Sequence, residues 1–320
     1  MVIVLVINLR LCGSNKPEPG ACGVYRLMVA LSRRIDLVGG LTSMQKTGLS
    51  GALFAASVAG LAGLSFLYGN FAPLLDPFPW PKAWTYGLGV LLVAACVGLL
   101  LTRAVAASAI IIAAYAVAWA MACVRPILHA PLSVGSWYGF SEALSLLVGV
   151  WTLYALHRRH DHAAATMALT SDRALRVGRI LFGAACLVYG IAHFAYAAYS
   201  LAFVPTWLPA RMPLVYLTGA CHTAAGAALI LGVLPRLAAT LEAIMIILFG
   251  VLVWLPSHFA HPVPKWAGSP QNQWSETLLN FVLAAVAWLI ADSLCGTRTS
   301  GTSHDRLSVA RSGIGGGVHE

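Results

Sequence analysis

Long apolar stretches recur along almost the whole chain, and they constrain its fold more than any other feature. A transmembrane helix needs about 20 mostly apolar residues to cross the hydrocarbon layer of a bilayer. Eight stretches come close to this length: 49–67, 84–101, 104–123, 139–156, 175–197, 214–231, 237–255 and 275–294. The sequence therefore predicts an all-α integral membrane protein with eight transmembrane helices.

The composition supports lipid, rather than a soluble core, as the medium for these stretches. Hydrophobic residues make up 59% of the 320 residues and charged residues only 10%, and the mean hydropathy is +0.79. A soluble core cannot use that much apolar surface. No soluble catalytic domain is recognisable in the remainder.

Lys and Arg are concentrated in the turns on one side of the predicted spans, as cytoplasmic loops are. Both termini are therefore predicted to be cytoplasmic. The net charge of +9 is explained by this topology and not by nucleic-acid binding, because the basic residues lie in short turns instead of on one folded face. The basic side collects Lys46, Arg103, Arg158, Arg159, Arg173, Arg176, Arg179, Arg236, Arg298, Arg306 and Arg311, and the other side has Lys82, Arg125, Arg211 and Lys265.

The opposite, predicted outer side is rich in proline and tryptophan. All sixteen prolines except Pro17, Pro19 and Pro235 lie in or beside its four loops. Seven tryptophans fall there too, which suits rings anchored at the headgroup level. Two interpretations stay open: an aromatic belt with stiff loops, or a lid over a site that opens outward. These tryptophans are Trp80, Trp84, Trp137, Trp207, Trp254, Trp266 and Trp274.

The chain divides into five regions. Residues 1–43 fit the membrane plan poorly and are expected to be a non-native or disordered extension, since Met44 is a more natural start. Residues 44–157 form a first four-helix repeat, 158–174 a basic cytoplasmic linker, and 175–294 a second repeat. Residues 295–320 are rich in Gly, Ser, Thr and Arg, which predicts a disordered cytoplasmic tail.

The two halves show matching positions that indicate an internal duplication. The pair Asn70–Phe71 after the first span matches His193–Phe194 after the fifth, and Ser141–Glu142 matches Ser275–Glu276. Tyr86, Gly89 and Arg103 likewise fall opposite Tyr216, Gly219 and Arg236. Four spans per copy is an even number, so the repeats are expected to be parallel.

The second half resembles the DoxX-like family of bacterial integral membrane proteins, and the first half resembles it more faintly. The resemblance rests on the run Gly190 to Phe194, the Val204-Pro205-Thr206-Trp207-Leu208-Pro209 loop, Tyr216 to Gly219 with His222 and Gly226, and Leu255-Pro256. It implies a four-helix bundle in the bacterial inner membrane. Some members are associated with quinone-linked sulfur oxidation, so it also implies a quinone or a redox protein as partner.

Two histidines of the second half are predicted to face protein instead of lipid. His222 lies three residues after Gly219 and four before Gly226, and His193 lies three after Gly190. Residues at these separations share one helix face, and glycine faces are where membrane helices approach closely. A structural histidine bonded between packed helices would explain each one alone.

These histidines form the centre of a candidate polar or quinone site near the outer ends of the helices. Glu276 opens the eighth span at the same end, so three titratable groups are expected to converge there and to exchange protons with a quinone headgroup. The candidate set also includes Tyr189, Trp254 and His258.

Glu242 is treated separately, because it lies nearer the cytoplasmic end of the seventh span. Helix rise places it about 9 Å in depth from His222, which makes direct pairing doubtful. A proton path from Glu242 to the outer cluster stays open. The matching positions of the first half are Asn70, Leu92 and Ala109.

Other motifs carry less weight. His157, His160 and His162 surround basic residues, which oppose metal binding, and the cysteines form no Cys-x-x-Cys pair. No metal site is therefore predicted. Three functional classes stay open: a quinone-linked redox subunit or accessory component, a small-solute permease, and a non-catalytic assembly or envelope-stress protein. An oligomer is compatible with all three.

Overall fold

The computed structural model describes residues 43–71, 82–101, 104–158 and 164–295. Within these residues it contains eight helices that are long and apolar enough to cross a membrane, and no β-strand. The chain is therefore a multi-pass helical membrane protein. In chain order we number the helices α1 (Ser43–Tyr68), α2 (Lys82–Leu99), α3 (Val105–Ala122), α4 (Val134–His157), α5 (Asp172–Ala195), α6 (Arg211–Leu231), α7 (Pro235–Phe249) and α8 (Pro270–Ser293).

Short helical segments extend or connect these spans. Val124–His129 follows α3, Ala164–Thr170 precedes α5, and Ala197–Phe203 follows α5. Helix α7 continues through a π-helical turn, Gly250–Trp254, into a last turn, Leu255–Ser257.

Three helices begin well before their predicted starts: α1 at Ser43 instead of 49, α4 at Val134 instead of 139, and α8 at Pro270 instead of 275. The first turns of α4 and α8 are poor in aliphatic side chains, so hydropathy does not detect them. In α8 the hydroxyl of Ser269 caps the helix by accepting from the N–H of Asn272 at 3.2 Å, and proline takes the first helical position.

Several predicted regions lie wholly or largely outside the described residues. These are the extension over residues 1–43, the tail over 295–320, and part of the basic linker over 158–174. Within that linker the structure shows the helix Ala164–Thr170 and the start of α5, which Ser171 caps by accepting from the N–H of Ala174.

The eight helices form a closed ring in chain order, with α4 and α8 also packed against each other across its centre. Each contact between neighbours within α1–α4 has a counterpart within α5–α8, and the contacts of α4 with α5 and of α8 with α1 join the halves. The helix contacts are thus equivalent in the two halves. Their origin by duplication stays a prediction.

Hydrogen bonds at the helix ends fix the directions of the neighbours. Ser50 donates to Asp292 at 2.8 Å, and at the other end of the same pair Gln271 donates to Asn70 at 2.6 Å. Helices α1 and α8 are therefore antiparallel. We call one end of the bundle the Trp side, defined by Trp84, Trp137, Trp207, Trp254, Trp266 and Trp274, and the other the Arg side, defined by Arg158, Arg173, Arg176, Arg179 and Arg236.

The centre of the bundle is tightly packed, whereas its perimeter is apolar and exposed. A Cβ on Gly149 of α4 would lie 2.5 Å from side-chain atoms of both Phe54 and Val286, so this glycine lets α1, α4 and α8 meet. On the perimeter, Ile110 and Leu67 are 70% and 75% exposed. Such side chains suit contact with lipid.

Candidate functional site

Helices α5 and α6 approach each other closely through glycines, as the sequence predicted. A Cβ on Gly226 would lie 2.6 Å from the carbonyl oxygen of Gly183, and a Cβ on Gly190 would lie 2.8 Å from that of Gly219. Backbone contact at these two levels leaves no room for side chains between the helices.

This contact places the two predicted imidazoles side by side. The ring centroids of His193 and His222 are 5.2 Å apart, and the ring of Phe249 from α7 lies 6.1 Å from the first and 5.8 Å from the second. His222 is only 3% exposed. The prediction that both histidines face protein is confirmed.

His222 also pairs directly with Glu242, which corrects the prediction that they lie too far apart. Nδ1 of His222 and Oε1 of Glu242 are 2.5 Å apart and share a hydrogen bond, and Glu242 is 1% exposed. A buried carboxyl that is hydrogen-bonded to an imidazole fixes the orientation of the ring.

The error came from the depths assigned to the two residues. At about 1.5 Å of rise per residue, His222 lies about 14 Å from the end of α6 at Leu231, and Glu242 about 10 Å from the start of α7 at Pro235. The difference in depth is about 3 Å instead of about 9 Å, which these side chains span easily.

Each imidazole keeps one nitrogen free for a ligand. Nδ1 of His193 donates to the carbonyl oxygen of Tyr189 at 2.9 Å, since a carbonyl only accepts. Nδ1 of His222 is engaged by Glu242. Neither Nε2 atom forms a hydrogen bond with a described residue, and neither is completely buried. Both rings line one cavity, so their Nε2 atoms are accessible from it.

The cavity has a volume of about 610 Å³ and reaches from the Trp side to the middle of the bundle. Its deep end is formed by His222 and Ile246, and its upper part by residues of the loops that follow α5 and α7. Most of the lining is apolar. Helix α4 of the first half contributes Gly135, Tyr138 and Glu142.

Two carboxyl groups, one from each half, line the same cavity. Glu142 of α4 is 8% exposed and Glu276 of α8 is half-buried, and the two are close enough for their charges to interact. Neither side chain forms a hydrogen bond with a described residue. Sequence matching had identified Glu142 only as the counterpart of Glu276.

Aromatic rings cluster over the upper part of the cavity. The ring of Phe203 lies 4.9 Å from those of Tyr199 and Trp266 and 5.7 Å from that of Trp254. Arg211 holds the segment beneath them, because its guanidinium donates to the carbonyls of Leu201 at 2.8 Å and Val204 at 3.0 Å. These contacts fit the lid interpretation of the loops.

Helix α7 departs from α-helical geometry beside the cavity. The N–H of Leu255 donates to the carbonyl of Gly250, five residues back, and Pro256 has no N–H to donate. The π-helical turn carries Leu252, Val253 and Trp254 of the lining. Such turns are frequent at functional sites.

The structure brings five of the six candidate site residues together and leaves one outside. Tyr189, His193, His222, Trp254 and Glu276 all line the cavity, whereas His258 does not. The hydroxyl of Tyr189 lies 3.1 Å from that of Ser145, which donates to the carbonyl of Ser141. Glu242 lies behind His222, outside the lining.

His258 occupies a separate place at the Trp side. Its ring stacks on Trp274 with centroids 3.9 Å apart, and its Nε2 lies 3.1 Å from Oγ1 of Thr277. Burial lowers the pKa of His258 below its ordinary value of 6.5.

The sequence did not identify Tyr138 or Phe249 as site residues. Tyr138 lies one helical turn before Glu142, so the same face of α4 carries both, and this spacing was the available signal. For Phe249 we find no signal beyond its position on an apolar span.

Within the described part of the chain no group of three or more His, Cys, Asp or Glu residues is arranged to hold a metal ion. His160 and His162 of the central turn lie outside that part. Comparisons with family models, with curated proteins and with solved structures found no match to this chain.

Proposed function

We propose that the protein is a quinone-linked redox subunit, or the accessory membrane component of one, and that its cavity binds a quinone headgroup at His193 and His222. The observation that carries the proposal is the pair of imidazoles 5.2 Å apart, each with Nδ1 engaged and Nε2 accessible from a mostly apolar cavity.

The cavity suits such a headgroup in size and in chemistry. Its volume of about 610 Å³ falls within the range of about 300–1,000 Å³ that is typical of small-molecule sites. A quinone ring is flat and apolar and carries two carbonyl oxygens. Phe249 and Tyr189 offer faces for the ring. Because Nδ1 of His193 carries the proton donated to Tyr189, its Nε2 accepts, and it suits a hydroxyl group of the quinol form.

Reduction of a quinone to a quinol takes up two electrons, which a redox partner protein would supply, and two protons. The chain's part is to bind the headgroup and to exchange protons with its oxygens. Glu242 engages Nδ1 of His222, so Nε2 is the nitrogen of this imidazole that exchanges protons with the headgroup. The adjacent His193 offers a second nitrogen at the same level.

The DoxX-like resemblance of the second half supports the same proposal. The resemblance implies the bacterial inner membrane, and the distribution of Lys and Arg predicts that both termini are cytoplasmic. The Trp side, from which the cavity extends, then faces outward, toward the periplasm.

The test is quinone retention in matched histidine variants. Protein purified in mild detergent is extracted with solvent, and quinone is quantified per mole of protein. We expect quinone to be retained by the wild type and by a His258→Ala variant, whose imidazole lies outside the cavity, and to be lost from a His193→Ala, His222→Ala double variant. Equal retention in all three proteins, or none in the wild type even after reconstitution with added quinone, would overturn the proposal.

A further inference from the structure

The carboxyl groups of Glu142 and Glu276 have no cation beside them among the cavity-lining residues. No Lys or Arg is part of the lining that the structure describes, and neither side chain forms a hydrogen bond there. Glu142 is more than nine-tenths buried and its carboxyl is accessible from the cavity. Ionisable groups within a membrane are costly and mark functional positions.

Aromatic rings line the same cavity as these carboxyl groups. Tyr138, one turn before Glu142 on the same helix, has its ring 5.3 Å from that of Tyr189, and both line the cavity. Farther up, Tyr199, Phe203 and Trp254 form the aromatic cluster described above. Ring faces attract cations, and aromatic cages are the usual means of recognising quaternary ammonium groups.

We propose that the cavity binds an organic cation, a protonated amine or a quaternary ammonium group, with its positive charge between Glu142 and Glu276 and its apolar part against the aromatic rings. The two carboxyl groups come from the two halves of the chain, so the cation site exists only where α4 and α8 pack together. This inference does not rest on the quinone proposal, which concerns the imidazoles at the deeper end of the same cavity.

Phenyltrimethylammonium is a suitable probe, because it combines a fixed positive charge with an aromatic ring. Its binding to the purified protein in non-ionic detergent is measured by titration calorimetry. We expect Glu142→Gln and Glu276→Gln each to weaken binding about tenfold or more, since each removes one of the two negative charges. Asp172→Asn, which removes an exposed carboxylate at the opposite end of α5, should bind as the wild type does.

A second measurement separates loss of the site from loss of the fold. A ligand that binds only the folded protein raises its Tm, so the probe should raise the Tm of the wild type but not that of the Glu142→Gln, Glu276→Gln double variant. Without the probe, that variant should be at least as stable as the wild type, because it no longer carries two uncompensated buried carboxyl groups.

Three results would overturn the inference: no binding by the wild type, equal binding by the wild type and the glutamine variants, or equal competition by tert-butylbenzene, the uncharged isostere of the probe. The His193→Ala, His222→Ala variant should still bind the cation. Failure of the quinone proposal is therefore distinguishable from failure of this one.

Discussion

Replacing Gly226 by alanine tests whether backbone contact between α5 and α6 holds the site together. The new Cβ would lie 2.6 Å from the carbonyl oxygen of Gly183 and 3.0 Å from the backbone nitrogen of Leu187. Both neighbours are backbone atoms of a packed helix, so neither can turn away as a flexible side chain could. The helices must separate instead.

The size of the effect follows from these distances. Ordinary contact begins at 3.4 Å, so the oxygen of Gly183 and the new Cβ must move apart by about 0.8 Å. Overpacking of this kind costs about 1–3 kcal/mol, and alanine regains about 0.5–1 kcal/mol over glycine within a helix. The net loss is about 1–2 kcal/mol. At about 2–4 °C per kcal/mol, as in chains of 150–250 residues, the apparent Tm should fall by about 2–8 °C.

The assay is thermal unfolding in detergent, followed with a dye that fluoresces on reaction with thiols. Cys96 and Cys186 are buried and free, so they become reactive as the bundle opens. Gly63→Ala is the matched control, because a Cβ on this helical glycine would meet nothing within 4 Å. The control should be as stable as the wild type or slightly more so. A Gly226→Ala variant that melts with the wild type would refute the close packing of α5 on α6.

Two further predictions concern individual side chains. Glu242→Ala leaves Nδ1 of buried His222 without its partner, which should cost about 1–3 kcal/mol and lower the Tm in the same assay; an unchanged Tm would mean that the pair adds nothing to stability. Burial lowers the pKa of His258 in the folded chain. Below about pH 6.5 the unfolded chain therefore binds more protons at this residue than the folded chain does, and the free energy of unfolding falls as the pH falls. A His258→Gln variant should therefore lose less stability between pH 7 and pH 5 than the wild type does, and identical pH profiles would contradict this assignment.

The sequence predicted the features that depend on local pattern. Runs of about 20 apolar residues identified all eight spanning helices. Spacing by three and four residues placed His193 and His222 on the glycine faces of α5 and α6, and the two rings do meet there. Such inferences succeed because helical periodicity fixes which residues share a face without knowledge of the neighbouring helix.

Features that depend on where helices begin and how they meet could not be predicted in the same way. The first turns of α4 and α8 are poor in aliphatic side chains, so hydropathy placed their starts too late. The same kind of offset at α6 and α7 gave a wrong depth for Glu242. The cavity is lined by α4 and by loops as well as by α5–α8, and no periodic pattern in the sequence indicates which loop covers which helix.

In the first half, apolar residues stand at the positions that match the polar pair His222 and Glu242. Leu92 matches His222 in the sequence, and it is 1% exposed within the apolar core; Ala109, which matches Glu242, packs against that core. Glu142 of the first half lines the same cavity as residues of α5–α8, because α4 packs against both α5 and α8. Two halves with equivalent helix contacts thus support one site, to which the central helices α4 and α8 each contribute a carboxyl group.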